Sequence, residues 1–193
     1  MDKYWYRLVT VLMIIVPTNA CNKSGSKTVW SDAFLIWQNS PLDIRMNWEV
    51  ADRYCKSLDL DGKRDWRLPS ISALRNLVKD CPGTKFGGDC HVYTRLNRLT
   101  HWSSEACSCK TRLGGPGLEG CYWNESLAGH CGGYWSSTRQ TDWGRSDTPE
   151  SAWYLDFDNA SVSSGFKLSL QNYVRCVRNA PEKQEIVRTM EFD

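Results

Sequence analysis

Nine cysteines are the residues of this chain best suited to covalent chemistry. They stand at positions 21, 55, 81, 90, 107, 109, 121, 131 and 176. Setting Cys21 aside leaves an even number, which in an exported and therefore oxidising setting predicts four disulfide bonds. The pairing of the six central cysteines stays open at this point: Cys81, Cys90, Cys107, Cys109, Cys121 and Cys131.

The alternative use of these cysteines is to bind a metal ion. A zinc knuckle needs two residues between its paired cysteines, whereas Ser108 alone separates Cys107 from Cys109. No histidine stands at partner spacing from them. Disulfide bonds are therefore the preferred prediction, and no metal is assigned to the cysteines.

The segment before Cys21 has the anatomy of a secretory signal. Lys3 and Arg7 give a positive head, residues 8–16 form an apolar run, and Ala20 is a small residue at the cleavage point. This run is too short to span a bilayer as a helix. Cleavage before Cys21 resembles bacterial lipoprotein processing, which attaches lipid to the new N-terminal cysteine.

This interpretation sets the domain organisation and the location. The divisions are a signal peptide (1–20), a lipidated cysteine with a flexible tether (21–28), one domain (29–179) and a tail (180–193). The protein is expected to be exported and held by its lipid in the cell envelope, at the outer membrane or the cell surface. Thr18 stands where lipoprotein signals usually carry leucine, so ordinary cleavage after Ala20 is the alternative, and it leaves one odd cysteine for intermolecular pairing.

Composition limits the class of partner. The 193 residues include ten tryptophans, and the net charge is only +2. Lysines and arginines are scattered along the chain, whereas nucleic-acid binding favours a strong, clustered basic surplus. The sequence therefore predicts one soluble domain that does not bind nucleic acid.

Two amphipathic helices are predicted early in the domain. The first follows the N-cap Asn47 and the second follows the N-cap Ser70. The residues on one face of the first helix are Trp48, Ala51, Cys55 and Leu58. The buried face of the second helix is predicted to contain Ile71, Leu74, Leu77 and Val78.

Strands are predicted at both ends of the domain. Residues 33–37 form a compact apolar run, and residues 152–157 alternate and return as 161–168. Residues 173–178 alternate again, with Val174 and Cys176 on one side. Between them lies a long irregular region that contains six cysteines and Trp-Ser-Ser twice, at 102–104 and 135–137. Each Trp-Ser-Ser is expected to leave a short strand, with its serines bonded to the backbone.

One cysteine lies in the first predicted helix and one in the last predicted strand. A bond between Cys55 and Cys176 would close a loop of more than a hundred residues. In the chain-entropy model such a loop contributes about 4–5 kcal/mol to stability. The same bond would attach the first helix to the closing strand.

Six sequence words carry a resemblance to a known family. In chain order they are AFLIWQ, WEVADRYC, DWRLPSISAL, YWSST, AWYLDF and YVRCVR. Over about residues 30–179 the chain resembles the Lcl C-terminal-like domain family, a bacterial group related to the C-type lectin fold. The resemblance implies an α+β, C-type-lectin-like fold with two helices, small antiparallel sheets and a long disulfide-stapled loop region.

The resemblance also implies a structural role for the link between the helices. Trp66 and Leu68 are expected to be buried against a sheet, and Arg67 to hold backbone carbonyls or a carboxylate. Pro69 and Ser70 would start the second helix. The alternative makes Trp66 and Arg67 a pair that stacks on sugar, which is disfavoured because large aromatics are mostly core residues.

Calcium is the one cofactor that the resemblance raises. Sugar-binding C-type lectins typically use Glu-Pro-Asn or Gln-Pro-Asp with Trp-Asn-Asp, and this chain has neither of the first two. The acidic residues that offer oxygen ligands instead are Asp142, Asp147, Glu150, Asp156 and Asp158. A solvated acidic loop is the preferred interpretation, so no cofactor is assigned.

Enzyme chemistry has little support in the sequence. There is no Gly-x-Ser-x-Gly, no His-Glu-x-x-His and no glycine-rich phosphate loop. His91, His101 and His130 all fall in the irregular region, with no third partner positioned for a triad. The lectin-like fold also includes a copper oxidase, the formylglycine-generating enzyme, and Cys107 with Cys109 is the one close pair that would suit it.

The expected function is therefore non-catalytic recognition or adhesion outside the cell, through a loop surface made rigid by disulfides. A saccharide and a host or envelope protein are the candidate ligands. The candidate contacts are Trp102, Tyr122, Trp123, Trp143 and Arg145, because aromatic rings and arginine are efficient binding anchors. The alternative is a structural envelope component, or an assembly subunit, that has no soluble ligand.

Overall fold

The computed structural model describes residues 28–30, 34–90, 106–140 and 150–181. The predicted signal, Cys21 and the last twelve residues lie outside these ranges. The helices are α1 (Trp48–Ser57) and α2 (Ile71–Leu77), with a 3-10 turn at Leu118–Gly120. The strands are β1 (Thr28–Trp30), β2 (Leu35–Gln38), β3 (Gly133–Gln140), β4 (Ser151–Asp156), β5 (Ser161–Phe166) and β6 (Val177–Asn179).

The strands form two small antiparallel sheets. One sheet has the order β1-β2-β6 and so joins the two ends of the domain. The other has the order β3-β4-β5, in which β4 and β5 are a hairpin paired from Ser151 with Phe166 to Asp156 with Ser161. The α+β class, the two helices and the small antiparallel sheets are thus confirmed.

Both helices begin where the capping residues predict. The Asn47 side chain accepts a hydrogen bond from the Val50 amide, and the Ser70 hydroxyl accepts one from the Ala73 amide. These bonds satisfy amides that have no partner within a helix. The predicted inner faces are also confirmed, since the side chains buried in them include Trp48, Ala51, Cys55, Ile71, Leu74 and Leu77.

Two hydrophobic clusters make up the core of the described chain. The first surrounds α2 and includes Trp37, Trp123 and Phe157. The second surrounds α1 and includes Trp66 and Trp135. The closing segment, residues 173–178, runs between the two clusters and contributes to both.

Successive side chains of the closing segment go to opposite clusters. Val174 and Cys176 belong to the second cluster. Tyr173 and Val177 pack with the first, and Arg175 lies over the Trp123 ring of that cluster. This is the period of two that an extended chain imposes on its side chains. The predicted alternation is confirmed, but regular pairing as a strand begins only at Val177, in β6.

Four disulfide bonds are confirmed, and the structure supplies the pairings that the sequence left open. The bonds join Cys55 with Cys176, Cys81 with Cys109, Cys90 with Cys107, and Cys121 with Cys131. The first links α1 to the closing segment across a separation of 121 residues. The other three hold the irregular region together. Two hydrogen bonds attach this region to the turn between β4 and β5: the Cys109 amide donates to the Asn159 carbonyl, and the Tyr122 amide donates to the Phe157 carbonyl.

The corner between the helices is buried, as expected. Trp66 and Leu68 are 2% and 1% exposed, which removes Trp66 as a platform for sugar. The Arg67 backbone exchanges two hydrogen bonds with Val177, and the Pro69 carbonyl accepts from the Ser137 amide. The corner therefore carries large side chains because it joins both sheets over the second cluster.

Two local predictions are corrected. The Arg67 guanidinium donates to the amide oxygen of Asn179 rather than to a backbone carbonyl or a carboxylate. The Trp-Ser-Ser at 135–137 lies within β3, at a register shift between Trp135 and Arg139, and not at a strand end. Its Ser136 hydroxyl donates to the Trp153 carbonyl, so the expected bonding to the backbone does occur, inside the bulge.

Within the described ranges, no helix has the length and apolar character needed to cross a bilayer.

The loop lengths predict how strongly each disulfide stabilises the fold. Replacing Cys55 and Cys176 together by alanine should lower the free energy of unfolding by about 5 kcal/mol, because the closed loop is very long. The matched control is the Cys121→Ala/Cys131→Ala variant, which opens a loop with a separation of only 10 residues and should cost about 3 kcal/mol. Chemical denaturation of both variants provides the comparison, and equal losses would contradict the assignment of stability to the long loop.

Candidate functional site

The predicted ligand contacts do not form a surface in the described chain. Tyr122 and Trp123 are 3% and 0% exposed, so the prediction that they contact a ligand is wrong. The Trp123 ring packs against Tyr134 and Phe157 in the first cluster, and the Tyr122 hydroxyl donates to the Thr111 carbonyl. They are buried because the irregular region has no helix to cover it and supplies its own core. The other predicted contacts, Trp102, Trp143 and Arg145, lie outside the described residues.

The close cysteine pair considered for the copper-oxidase alternative is engaged in disulfide bonds. Cys107 and Cys109 are bonded to Cys90 and Cys81, so neither is available as a thiolate ligand. Among the described residues, no group of three histidine, cysteine or acidic side chains is arranged to hold a metal ion.

The structure describes three of the five acidic residues considered as calcium ligands. Asp156 accepts from the Asp158 amide, and Asp158 pairs with Arg112 at 2.6 Å. Burial raises the pKa of the Asp156 carboxyl, which makes it a poorer ligand for a cation at low pH. Glu150 is exposed, and Asp142 and Asp147 lie outside the described residues.

A different set of side chains converges at the surface. It comprises Asp43, Arg45, Glu119, His130 and Tyr173, and it is called the Tyr173 surface below. Three separate parts of the chain contribute to it: the segment before α1, the stretch from the 3-10 turn to the end of the loop closed by Cys121 and Cys131, and the closing segment. Each part is fixed by neighbouring core packing or by a disulfide, so the charged groups are presented on a rigid base.

Tyr173 is the centre of this surface. The Arg45 guanidinium carbon lies 4.8 Å from the centre of its ring, and the His130 ring stacks at 6.0 Å. The Tyr134 ring lies 5.5 Å away on the core side. Because three side chains surround the ring, Tyr173 acts as a support for charged groups and not as an open platform.

His130 lies between two carboxylates. Its Nε2 atom is 3.2 Å from Asp43 and its Nδ1 atom is 3.9 Å from Glu119. The two carboxylates approach opposite ring nitrogens, so the three side chains cannot converge on one metal ion. A neutral imidazole has one N–H to donate and an imidazolium has two, so the arrangement depends on the protonation of His130.

Arg175 organises the base of the surface from within the core. Its guanidinium donates to the carbonyls of Gln38 and Asn39, at 2.8 and 2.9 Å, and to that of Ala128. The same guanidinium lies 4.8 Å from the Trp123 ring. Burial lowers the pKa of Arg175, but arginine keeps its proton in proteins, so this is a buried cation held by carbonyl dipoles and aromatic rings. It attaches the loop that carries His130 to the segment that leads to Asp43.

Two glycines allow the close approach of these groups. A Cβ atom at Gly129 would lie 2.9 Å from the Arg175 guanidinium, and Gly129 has a φ of 118°. At Gly132, whose φ is 121°, a Cβ atom would lie 3.3 Å from the Tyr173 ring and 3.5 Å from the Arg45 guanidinium. Both positions have backbone conformations that favour glycine.

Sequence reasoning missed most of this surface. The sequence places His130 only in the irregular region and Tyr173 only at one position of an alternating strand. The alternation does carry a usable signal, because it places Tyr173 and Arg175 on the side opposite Cys176. No local pattern marks Asp43, Arg45 or Glu119, since they meet only through the folding of distant segments.

The comparison with protein families agrees with this architecture. Residues 28–178 match the family model described as the Lcl C-terminal domain. The chain belongs to the Lcl C-terminal domain family. The family predicted from the six sequence words is thereby confirmed over nearly the same residues. A comparison with curated proteins gave no match.

In this Lcl C-terminal domain, Arg175 provides a test of the base of the site. Arg175→Met should lower the free energy of unfolding by about 1–3 kcal/mol or more. This is the cost of leaving one buried carbonyl without a donor, and Arg175 donates to three. Arg175→Lys should recover only part of the loss, because one ammonium cannot reproduce the fork of the guanidinium. Arg53→Met, at an exposed position of α1, is the control.

Hydrogen exchange locates the effect of the Arg175 variants. Amide exchange at residues 127–131 should accelerate in Arg175→Met more than exchange in α1. Equal acceleration in both places would contradict the role of Arg175 in fixing this loop.

Burial of the Tyr134 hydroxyl should make the folded protein less stable at alkaline pH. Burial raises its pKa to about 12, above the ordinary value of about 10. The folded protein therefore holds this proton more tightly, and the resulting stability is present below pH 10 and is lost as the pH rises towards 12.

The measurement is the free energy of unfolding at pH 9 and pH 12, recorded before disulfide exchange sets in. Tyr134→Phe should reduce the loss between these pH values by about 2–3 kcal/mol, in proportion to the shift. The variant also loses the hydrogen bond to the His130 carbonyl, but phenylalanine does not titrate, so this loss lowers the stability of the variant equally at pH 9 and pH 12 and does not imitate the effect. A loss identical to that of the unmodified protein would contradict the prediction.

Proposed function

We propose that this chain is a non-catalytic recognition domain, exported and held by lipid at Cys21 in the cell envelope. Its ligand is a saccharide or a protein outside the cell, and the Tyr173 surface is the part of the described chain that contacts it. Recognition uses hydrogen bonds and charges from fixed side chains, without a bound metal.

The observation that carries this proposal is the convergence of Asp43, Arg45, Glu119 and His130 around Tyr173, with His130 on the loop closed by Cys121 and Cys131. These side chains are polar and exposed to a large extent, and Arg175 and two glycines hold the backbone beneath them. A rigid base lowers the conformational entropy that is lost on binding. Charged groups that serve only solubility do not need such a base.

The order of elements also supports a C-type-lectin-like fold. Two helices are followed by a long stapled region and a small antiparallel sheet, and a disulfide bond joins the first helix to the closing segment. The long stapled region contributes Glu119 and His130 to the Tyr173 surface. Four disulfides are compatible with an oxidising compartment and so with export.

The test is an array of saccharides and extracellular proteins, probed with the disulfide-bonded protein recovered from the cell envelope. We expect a ligand whose binding persists in a calcium chelator and is weakened by Arg45→Ala. Arg53→Ala is the matched control, because it removes an exposed arginine of α1 that is not part of the Tyr173 surface.

Two outcomes would overturn the proposal. If Arg45→Ala and Arg53→Ala change the affinity for the ligand equally, the Tyr173 surface does not contact the ligand. No ligand on either array, with or without calcium, would favour a structural component of the envelope instead.

Mass spectrometry of the native N-terminus tests the predicted location separately. A diacylglyceryl-modified Cys21 is expected as the first residue. An unmodified N-terminus after Ala20 would contradict lipid anchoring and would leave one cysteine without a partner.

A further inference from the structure

Two of the four disulfide bonds present one cysteine near the surface. Cys109 and Cys131 are only partly buried, whereas their partners Cys81 and Cys121 are 3% and 0% exposed. Thiol–disulfide exchange requires a thiolate to reach a sulfur atom, so these two bonds are open to an external reagent while the domain is folded. The other two bonds are closed to it, because their cysteines are at most 1% exposed: Cys55, Cys90, Cys107 and Cys176.

The two accessible bonds differ in the group that leaves when they are attacked. Attack at the accessible sulfur expels the buried partner as a thiolate, and exchange is faster when the leaving thiolate is more stable. The Thr84 hydroxyl lies 3.6 Å from Cys81 Sγ and is buried with it, so it can donate a hydrogen bond to this thiolate. Cys121 Sγ has no such donor among the described residues and would leave into an apolar cluster, where a thiolate is poorly stabilised.

The surroundings of Cys131 also repel an incoming thiolate. Its Sγ atom lies 3.9 Å from two backbone carbonyl oxygens, those of Leu118 and Glu119. The next side chain along the chain, His130, lies between the carboxylates of Asp43 and Glu119. A negatively charged reagent therefore meets negative potential at this sulfur.

The surroundings of Cys109 are less negative. Its Sγ atom lies 3.8 Å from one carbonyl oxygen, that of Asp80. Two exposed lysines offset the Asp80 carboxylate, since Lys79 precedes it and Lys110 follows Cys109 in the chain. Nearby positive charge favours a thiolate, so both the approach of the reagent and the leaving group favour the bond between Cys81 and Cys109.

The chain around Cys109 stays attached when this bond opens. The Cys109 amide donates to the Asn159 carbonyl at 2.7 Å, and the Leu113 amide donates to the Asp158 carbonyl at 2.6 Å. Arg112 also pairs with the Asp158 carboxylate. These contacts do not involve sulfur, so opening the bond leaves both thiols close together on a folded domain, and the bond can form again.

We propose that the bond between Cys81 and Cys109 is a reversible redox site, which a dithiol opens by attack at Cys109 Sγ while Cys81 Sγ leaves towards the Thr84 hydroxyl. A bond forms between the dithiol and Cys109, the bond between the two cysteines breaks, and Cys81 keeps the electron pair and takes a proton from solvent. The second thiolate of the dithiol then attacks its own sulfur in this mixed disulfide and releases Cys109, which is also protonated. The dithiol thus loses two electrons as it closes into a disulfide, and the protein gains them. The inference goes beyond the recognition function proposed above and does not depend on it.

Timed reduction with dithiothreitol tests the order in which the bonds open. The disulfide-bonded protein is incubated with the reagent at neutral pH without denaturant. Samples are quenched in acid, freed of the reagent and alkylated with N-ethylmaleimide in denaturant, and peptide mass spectrometry measures the alkylated fraction of each cysteine. We expect Cys81 and Cys109 to be alkylated together and before the other six cysteines of the domain.

Variants of Thr84 test the role of its hydroxyl. Thr84→Val removes the hydroxyl and keeps the shape of the side chain, so the bond between Cys81 and Cys109 should open about 2- to 10-fold more slowly, the effect of one hydrogen bond. Thr84→Ser keeps the hydroxyl and should retain most of the rate. Thr111→Val is the matched control, because Thr111 is an exposed threonine two residues from Cys109.

The bond between Cys121 and Cys131 is the internal standard in the same samples. A variant that merely loosens the fold would open both accessible bonds faster, whereas loss of the Thr84 hydroxyl should slow one of them alone. When the first bond is open, circular dichroism should still show the folded protein. Replacing dithiothreitol by oxidised glutathione should then restore the bond between Cys81 and Cys109.

Four results would overturn the proposal. The first is the opening of any other bond before that of Cys81 and Cys109. The second is the opening of all four bonds together with loss of the folded spectrum. The third is a rate that Thr84→Val leaves unchanged or increases, and the fourth is the pairing of Cys109 with a different cysteine after reoxidation.

Discussion

The closing segment, residues 173–178, is the constraint on which the rest of the structure depends. It is extended, so its side chains alternate, and each face completes a different hydrophobic cluster. Cys176 binds covalently to α1 on one face, and Arg175 binds three carbonyls on the other. A shift of one residue would place the buried guanidinium among apolar side chains and Cys176 away from Cys55, so the register of this segment is strongly fixed.

The elements at the ends of the domain could be predicted because their signals are local. Asn47 and Ser70 identify the starts of the helices, and the apolar spacing identifies the faces that are buried. The bond between Cys55 and Cys176 can be inferred from the order of elements, since Cys55 lies on the inner face of α1 and Cys176 lies in a closing segment whose side chains alternate. The large side chains of the corner at 66–68 fit the same account, because a short link that joins two sheets must also fill the core between them.

The central region could not be predicted in the same detail. Its six cysteines have no helix or strand to define their direction, so the sequence permits many pairings. Tyr122 and Trp123 look like surface anchors because they lie in an irregular, glycine-rich region, yet they form its core together with Phe157. The sequence does not distinguish Arg175 from the surface arginines, because its acceptors are backbone carbonyls and one of them is 47 positions away in the sequence.

The Tyr173 surface depends on the same constraint. Tyr173 belongs to the closing segment, and Arg175, two residues later, connects the loop of His130 with the segment that leads to Asp43. The recognition proposal therefore requires that the closing segment be attached as described, with Cys176 bonded to Cys55. Proteolysis of the unreduced protein followed by mass spectrometry tests this bond directly. The account predicts one peptide pair that contains residues 55 and 176 and separates on reduction, whereas a peptide pair that joins Cys176 to any of the central cysteines would contradict it.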